Sequence, residues 1–202
     1  MKFSYPTLGI DESTNEDYEV FVGVSSYNIE DTIVCNRGLT KSRSKYLGID
    51  DFLSEHTNFK YVCVSSQFCR DNDLSNWKVK LISIATLIRS FYEEEGVDNI
   101  LLDGELDELM EKELYGMVFP YVPKITPIPR ADSTIPLVNL ADSIAYRLTS
   151  HRFKKYKNFT DIYSNNRIEP NLEDTIDYNK KCLELTRNEN FFPMNPVVCR
   201  EF

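Results

Sequence analysis

Three short runs of β-branched and aromatic residues precede the first long helical stripe in this chain. That order restricts the fold to a sheet that starts as consecutive strands and continues as alternating helices and strands. Residues 7–11 and Tyr18 to Ser25 read as two strands joined by a polar turn of Ser13, Thr14, Asn15, Glu16 and Asp17, the pattern of an antiparallel hairpin. Lys60 to Ser65 reads as a third strand, β-branched and bounded by polar residues. Between them, about 26 to 59, the pattern is irregular apart from a short helix predicted over 50–56.

From Trp77 to Glu95 the residues Leu81, Ile84, Leu87, Ile88 and Phe91 recur at helical spacing, and Gly96 supplies a stop. A strand at 98–103, a helix at 105–116 and a strand at 121–129 follow. Pro123, Pro127 and Pro129 cannot donate to a ladder, which makes the last of these a short or edge strand. The helix predicted over 135–153 carries Leu137, Leu140, Ala141, Ile144, Ala145 and Leu148 as one continuous apolar stripe. Beyond 156 the chain turns polar and acidic, with a further helix predicted over 172–187. The whole is expected to be a single α/β domain over 1–202, a mixed sheet with helices packed on it and residues 156–202 as a C-terminal extension.

Composition excludes some functions. No apolar run approaches the roughly 18 residues of a membrane span, and the N-terminus lacks a secretory apolar stretch, so an intracellular, cytoplasmic protein without a membrane partner is expected. The cysteines number five, an odd count without a CxxC pair, and the expectation is reduced thiols. His56 and His151 lie far apart and form no ligand pair; a surface loop and a solvated helix end are their expected places. A formal net charge of -9 argues against non-specific coating of nucleic acid. Arg37, Lys41, Arg43 and Lys45 form one local basic segment, and Arg147, Arg152, Lys154, Lys155 and Lys157 another. Each is either a solvated face or a binding surface.

Three acidic positions stand out. Asp11-Glu12 closes the apolar run Leu8, Gly9, Ile10, and adjacent carboxylates at a strand end need full solvation or a cation. Asp103 closes the run Asn99 to Leu102, where it is either a second ligand or the cap of the helix beginning near Glu105. Asp142 flanks the apolar stripe of its helix, facing the body of the protein, and needs a cation, Arg147 or a backbone group as partner.

The order of elements is similar to the ribonuclease H-like fold, and the motifs extend the likeness. Gly9-Ile10-Asp11-Glu12 resembles the opening of type 2 ribonucleases H, and Leu101-Leu102-Asp103-Gly104 resembles that family's Asp-Gly at the end of the fourth strand. Leu140-Ala141-Asp142-Ser143-Ile144-Ala145 resembles the Leu-Ala-Asp-x-Ile-Ala helix of a ribonuclease H-like family whose members begin with an Asp-Glu-Ser segment. The resemblance spans about residues 7 to 155. It implies a mixed five-stranded sheet whose first three strands are antiparallel, and a nuclease that hydrolyses phosphodiester bonds in RNA or DNA with two divalent ions. On that resemblance Asp11 bridges both ions, Glu12 and Asp103 ligate one and Asp142 the other, with Glu105 and Asp132 as further acids; hard oxygen ligands suit Mg²⁺ or Mn²⁺.

Type 2 ribonucleases H follow their Asp-Glu pair with a Gly-Arg-Gly segment that reads the 2′-hydroxyl at an RNA–DNA junction. Here Ser13-Thr14-Asn15 stands instead, so junction recognition is not implied. Arg43, Lys45, Arg147 and Lys154 are the candidate phosphate contacts. An alternative is a non-catalytic binding module of the same fold for protein or nucleic acid, favoured by the acidic charge and the aromatic tail Phe191, Phe192 and Phe202. A small-molecule phosphohydrolase is a third option, without a Gly-rich phosphate loop to support it.

Overall fold

The computed structural model describes residues 2–28, 49, 57–149, 163–170 and 172. Strand β1 (Lys2–Thr14) turns into β2 (Tyr18–Asn28), and β2 pairs antiparallel with β3 (Thr57–Ser65). Asn15 makes the first turn: its side-chain oxygen accepts the backbone N–H of Asp17 (2.8 Å) and of Tyr18 (3.0 Å). Helix α1 (Ser66–Asp71) and helix α2 (Asn76–Glu95) follow, and Gly96 ends α2 in the left-handed conformation at φ 68°. Next come β4 (Asn99–Asp103), α3 (Glu108–Val118), β5 (Lys124–Ile128), α4 (Ala131–Thr134), α5 (Pro136–Thr149) and β6 (Arg167–Ile168).

The sheet order is β5-β4-β1-β2-β3-β6. Its first three strands are antiparallel, β4 lies parallel to β1, and β5 lies parallel to β4 at the edge, consistent with Pro127 within it. The two-residue β6 adds a sixth strand, parallel to β3, to the five expected. The predicted helices at 50–56 and 172–187, both histidines and most of the two basic segments fall outside the described residues. Arg147 is described, and it is 5% exposed, so it belongs to the interior and not to a solvated basic face. No helix among the described residues is long and apolar enough to cross a membrane.

Alternation along the strands divides the core in two. Leu8 and Ile10 of β1, Phe21 of β2 and Ile100 and Leu102 of β4 pack with α2 and α3. Val20, Val22 and Val24 of β2 pack on the other face with Leu137, Leu140, Ile144 and Leu148 of α5. Helices therefore cover both faces. Gly9 sets how closely α5 can approach: a Cβ there would lie 2.9 Å from Leu137 Cγ and 3.0 Å from its carbonyl carbon. The absence of that Cβ lets α5 lie directly on β1 and carries Asp142 toward the strand's end.

Candidate active site

β1 and β4 run parallel, pairing Thr7 with Asn99 through Ile10 with Leu102. One step further stand Asp11, within β1, and Asp103, the last residue of β4, so the ladder itself sets Asp11 beside Asp103. The carboxyl ends of parallel strands are where open α/β sheets bind ligands. Gly9 faces Leu137 of α5 and Ser13 bonds Thr149 of α5, which places Asp11, midway between them in the alternation, on that same face. Leu102 belongs to the α2 face, so Asp103 also turns toward α5. Asp142 is buried on α5 itself.

Asp11 is 6% exposed. Its Oδ1 accepts the backbone N–H of Glu12 at 2.6 Å. Burial is the chief cause that pushes its carboxyl up from 3.8 to about 8; the Glu12 N–H bond opposes the rise, and the charges of Asp142, Asp103 and Glu12 add to it. Thus the structure brings the four expected acids into one electrostatic neighbourhood around Asp11. They do not close on a common point: among the described residues, no three His, Cys, Asp or Glu side chains are arranged to hold a metal ion as they stand.

Two contacts explain that openness. Glu12 lies on the opposite face, toward α2, where its Oε1 meets the Lys80 ammonium at 2.7 Å. Asp103 Oδ1 accepts the backbone N–H of Asp132 at 3.2 Å, at the start of α4. Asp103 does not cap α3. That is the work of Asp107, whose carboxylate accepts the N–H of Met110 at 2.8 Å, three residues into the helix. Gly104, at φ 88°, turns the chain away from β4 and delays the helix to Glu108. Of the further acids, Asp132 adjoins the site through its backbone, and Glu105 is exposed.

Lys80 and Glu19 are absent from the acids and bases singled out in the sequence. Lys80 lies on α2, in line with the buried Ile84, Leu87 and Phe91. A Cβ on Gly104 would be 3.9 Å from its Nζ, so the ammonium reaches across to the turn after Asp103. Glu19 of β2 is pushed up by burial first and then by the charge of Glu12, while Lys80 pulls it down. Glu19 also lines a cavity of about 360 Å³ with Cys69, Arg70 and Asn76 beside the start of α2.

Ser13-Thr14-Asn15 fastens the hairpin to α5. The Ser13 and Thr149 hydroxyls are 2.8 Å apart, and Asn15 Nδ2 donates to the Thr149 carbonyl at 3.1 Å. These side chains hold the loop to the helix end whose carbonyls lack partners within the helix.

The strand order and connections are those of a ribonuclease H-like α/β fold. Solved structures carry the same architecture. A chain of the PCNA:RNase HII complex from Archaeoglobus fulgidus superposes with a TM-score of 0.59 at 15% identity, over 94% of this chain and 97% of that one. The ribonuclease H2 from Pyrococcus horikoshii OT3 gives 0.58 at 16% identity, over 98% and 93%. Bst-RNase HIII in complex with Mn²⁺ gives 0.52 at 16% identity, over 75% of this chain and 54% of that one. At these identities the likeness is one of fold. No protein-family model matches the chain, and no curated protein matches it.

Proposed function

We propose that this chain is a divalent-metal-dependent nuclease that hydrolyses phosphodiester bonds in RNA or DNA. The observation that carries the reading is Asp11: a buried carboxylate among the charges of Asp142, Asp103 and Glu12 is in an arrangement that a cation would relieve. The donor set fits Mg²⁺ or Mn²⁺ in kind, since hard oxygen ligands at a partly open site suit ions that keep several waters. Bound there, an ion would polarise the scissile phosphate and ease deprotonation of the attacking water. Asp11, Asp103 and Asp142, which face α5, would hold the ion, and Glu12 would join them in the two-ion form of the mechanism. The fold neighbours support the substrate class, because their names are those of ribonucleases and one was solved with Mn²⁺.

The chain's own residues have separable tasks. The Glu12 N–H orients the Asp11 carboxylate, and the Asp132 N–H orients that of Asp103. Apolar packing around α5 holds Asp142 in place and keeps water from its inner side. Ser13 to Asn15, occupied with α5, do not supply a junction-reading segment. A non-catalytic module of the same fold, binding protein or nucleic acid, is the second reading. The acids' failure to close on one ion favours it.

The test is cleavage of labelled single-stranded RNA, DNA and hybrid duplexes with Mg²⁺, Mn²⁺ or a chelator. Metal-dependent cleavage that disappears in Asp11→Asn and in Asp142→Asn is expected. Purified chain that binds no divalent ion and cuts none of these substrates overturns the nuclease reading in favour of the binding module.

A further inference from the structure

A cavity of about 360 Å³, the size of a small-molecule site, lies between the β2 and β3 strands, α1 and the start of α2. Glu19 pairs with Val64 across the β2–β3 ladder, so both side chains rise from the sheet toward α2 and form the floor. Cys69 of α1 and Leu74 of the turn before α2 make half-buried walls, and the exposed Arg70 and Asp73 stand at the mouth. Two bonds close that turn. Leu74 N–H donates to the Cys69 carbonyl at 2.9 Å and Asp73 N–H to the Arg70 carbonyl at 3.3 Å, with Asp73 left-handed at φ 51°. The rim of the cavity is therefore part of the folded end of α1.

Glu19 is half-buried in this floor, and among the described residues its carboxylate makes no hydrogen bond or ion pair. The cations nearby are committed elsewhere: the Lys80 ammonium is 2.7 Å from Glu12 Oε1, and Arg70 Nη2 donates to Gln67 Oε1 at 2.9 Å. A half-buried carboxylate left so is satisfied by a charged donor arriving from solvent. A metal ion does not meet the need. Glu19, Cys69 and Asp73 all line the cavity, yet among the described residues no three His, Cys, Asp or Glu side chains are arranged to hold an ion. An organic cation requires no such closure, because it brings its own N–H groups and an apolar stem to lie along the walls.

We propose that this cavity binds a primary alkylammonium, with its nitrogen on Glu19, its methylene stem against Val64, Cys69 and Leu74, and Asp73 attracting the cation at the mouth. Free diamines and lysine side chains both present that group. The site lies on the α2 side of the sheet, uses none of the acids facing α5, and stands whether or not the nuclease reading does.

The test is calorimetry of the full chain with cadaverine and with Nα-acetyl-lysine methylamide, against butanol and butyrate as uncharged and anionic probes. Both amines should bind at a single site, and the other two should not bind. Tighter cadaverine marks a free amine as the ligand, and the reverse order marks a lysine side chain. Glu19→Gln should weaken amine binding by about 10- to 100-fold, while Arg70→Met should leave it as tight or tighter. Absence of amine binding overturns the proposal. So does equal binding to wild type and Glu19→Gln, which is attraction to the acidic chain as a whole, and so does butyrate binding that Arg70→Met abolishes, which makes the cavity an anion site. If circular dichroism shows that Glu19→Gln does not fold, Cys69 on the wild type decides. Saturating cadaverine should slow alkylation of Cys69 by iodoacetamide, read by peptide mass, and an unchanged rate refutes the proposal.

Discussion

Asp11→Asn should stabilise the metal-free protein, and increasingly so as the pH rises. The wild-type carboxyl is 6% exposed, and burial together with Asp142, Asp103 and Glu12 raises it from 3.8 to about 8. In the unfolded chain the same group titrates near its ordinary value. Below about pH 4 both states hold the proton, and Asp11 costs the fold nothing. Between there and about pH 8 the native state keeps a proton that the unfolded chain has released, so stability falls as the pH climbs through that window. The full shift corresponds to a ceiling of about 6 kcal/mol, at 1.36 kcal/mol per pKa unit. For a chain of this length that is about 10–20 °C in Tm at the ceiling.

Urea and thermal unfolding in chelator at pH 5 and pH 8.5 measure the effect. Asparagine keeps nearly the same shape and cannot ionise, so the variant should exceed the wild type by about 1–2 kcal/mol at the lower pH and by close to the ceiling at the higher. Mg²⁺ or Mn²⁺ should restore the wild type at pH 8.5 and leave Asp11→Asn unmoved, because an ion that binds only the native state stabilises it by mass action. A variant destabilised equally at both pH values would refute the reasoning. It would show that Asp11 acts through hydrogen bonding and not through its charge.

Gly9→Ala should cost about 1–3 kcal/mol in urea melts and weaken metal binding, since its Cβ would meet the backbone of Leu137 at 3.0 Å and push α5, with Asp142, away from β1. Asp107→Ala should lose about 1 kcal/mol of stability and leave metal affinity intact. Asp103→Asn should do the reverse, and calorimetry of the two variants side by side separates cap from ligand. Asn15→Ala removes two turn hydrogen bonds and the tie to Thr149, and should cost about 1–2 kcal/mol by chemical denaturation with metal affinity unchanged.

The sheet was readable where burial imposed a period. β1 to β3 alternate because each packs side chains on both faces, and α5 shows a continuous stripe because its apolar side lies flat on β1 and β2. Asp142 was readable for the same reason, as an acid set on a helix that otherwise presents apolar residues. Elements without burial left no trace: α1 has no buried residue, and β6 is two residues long. Asp103 and Asp107 both precede a helix, and local chemistry permits either to cap it. The choice was made by Gly104, whose φ of 88° delays the helix start. Lys80 was missed because a lysine at one end of an apolar stripe has the same local pattern whether its ammonium reaches water or a carboxylate from another strand.

The same alternation changes what the Asp11-Glu12 pair means. In sequence the two acids read as one pair that needs full solvation or a cation, yet successive strand side chains point to opposite faces. Ile10 and Glu12 face α2, while Gly9, Asp11 and Ser13 face α5. A pair of adjacent acids on a regular strand can therefore serve one ion only at the strand's end, where the sheet no longer separates the two faces. β1 continues to Thr14 and remains paired with β2 as far as Glu19, so the separation persists past both acids on that side. On the other side β4 stops at Asp103, and the gap beyond it is where the Lys80 ammonium lies. An ion shared by Asp11 and Glu12 would have to enter through that gap. The lysine already there is the counter-charge of Glu12 and not of Asp11.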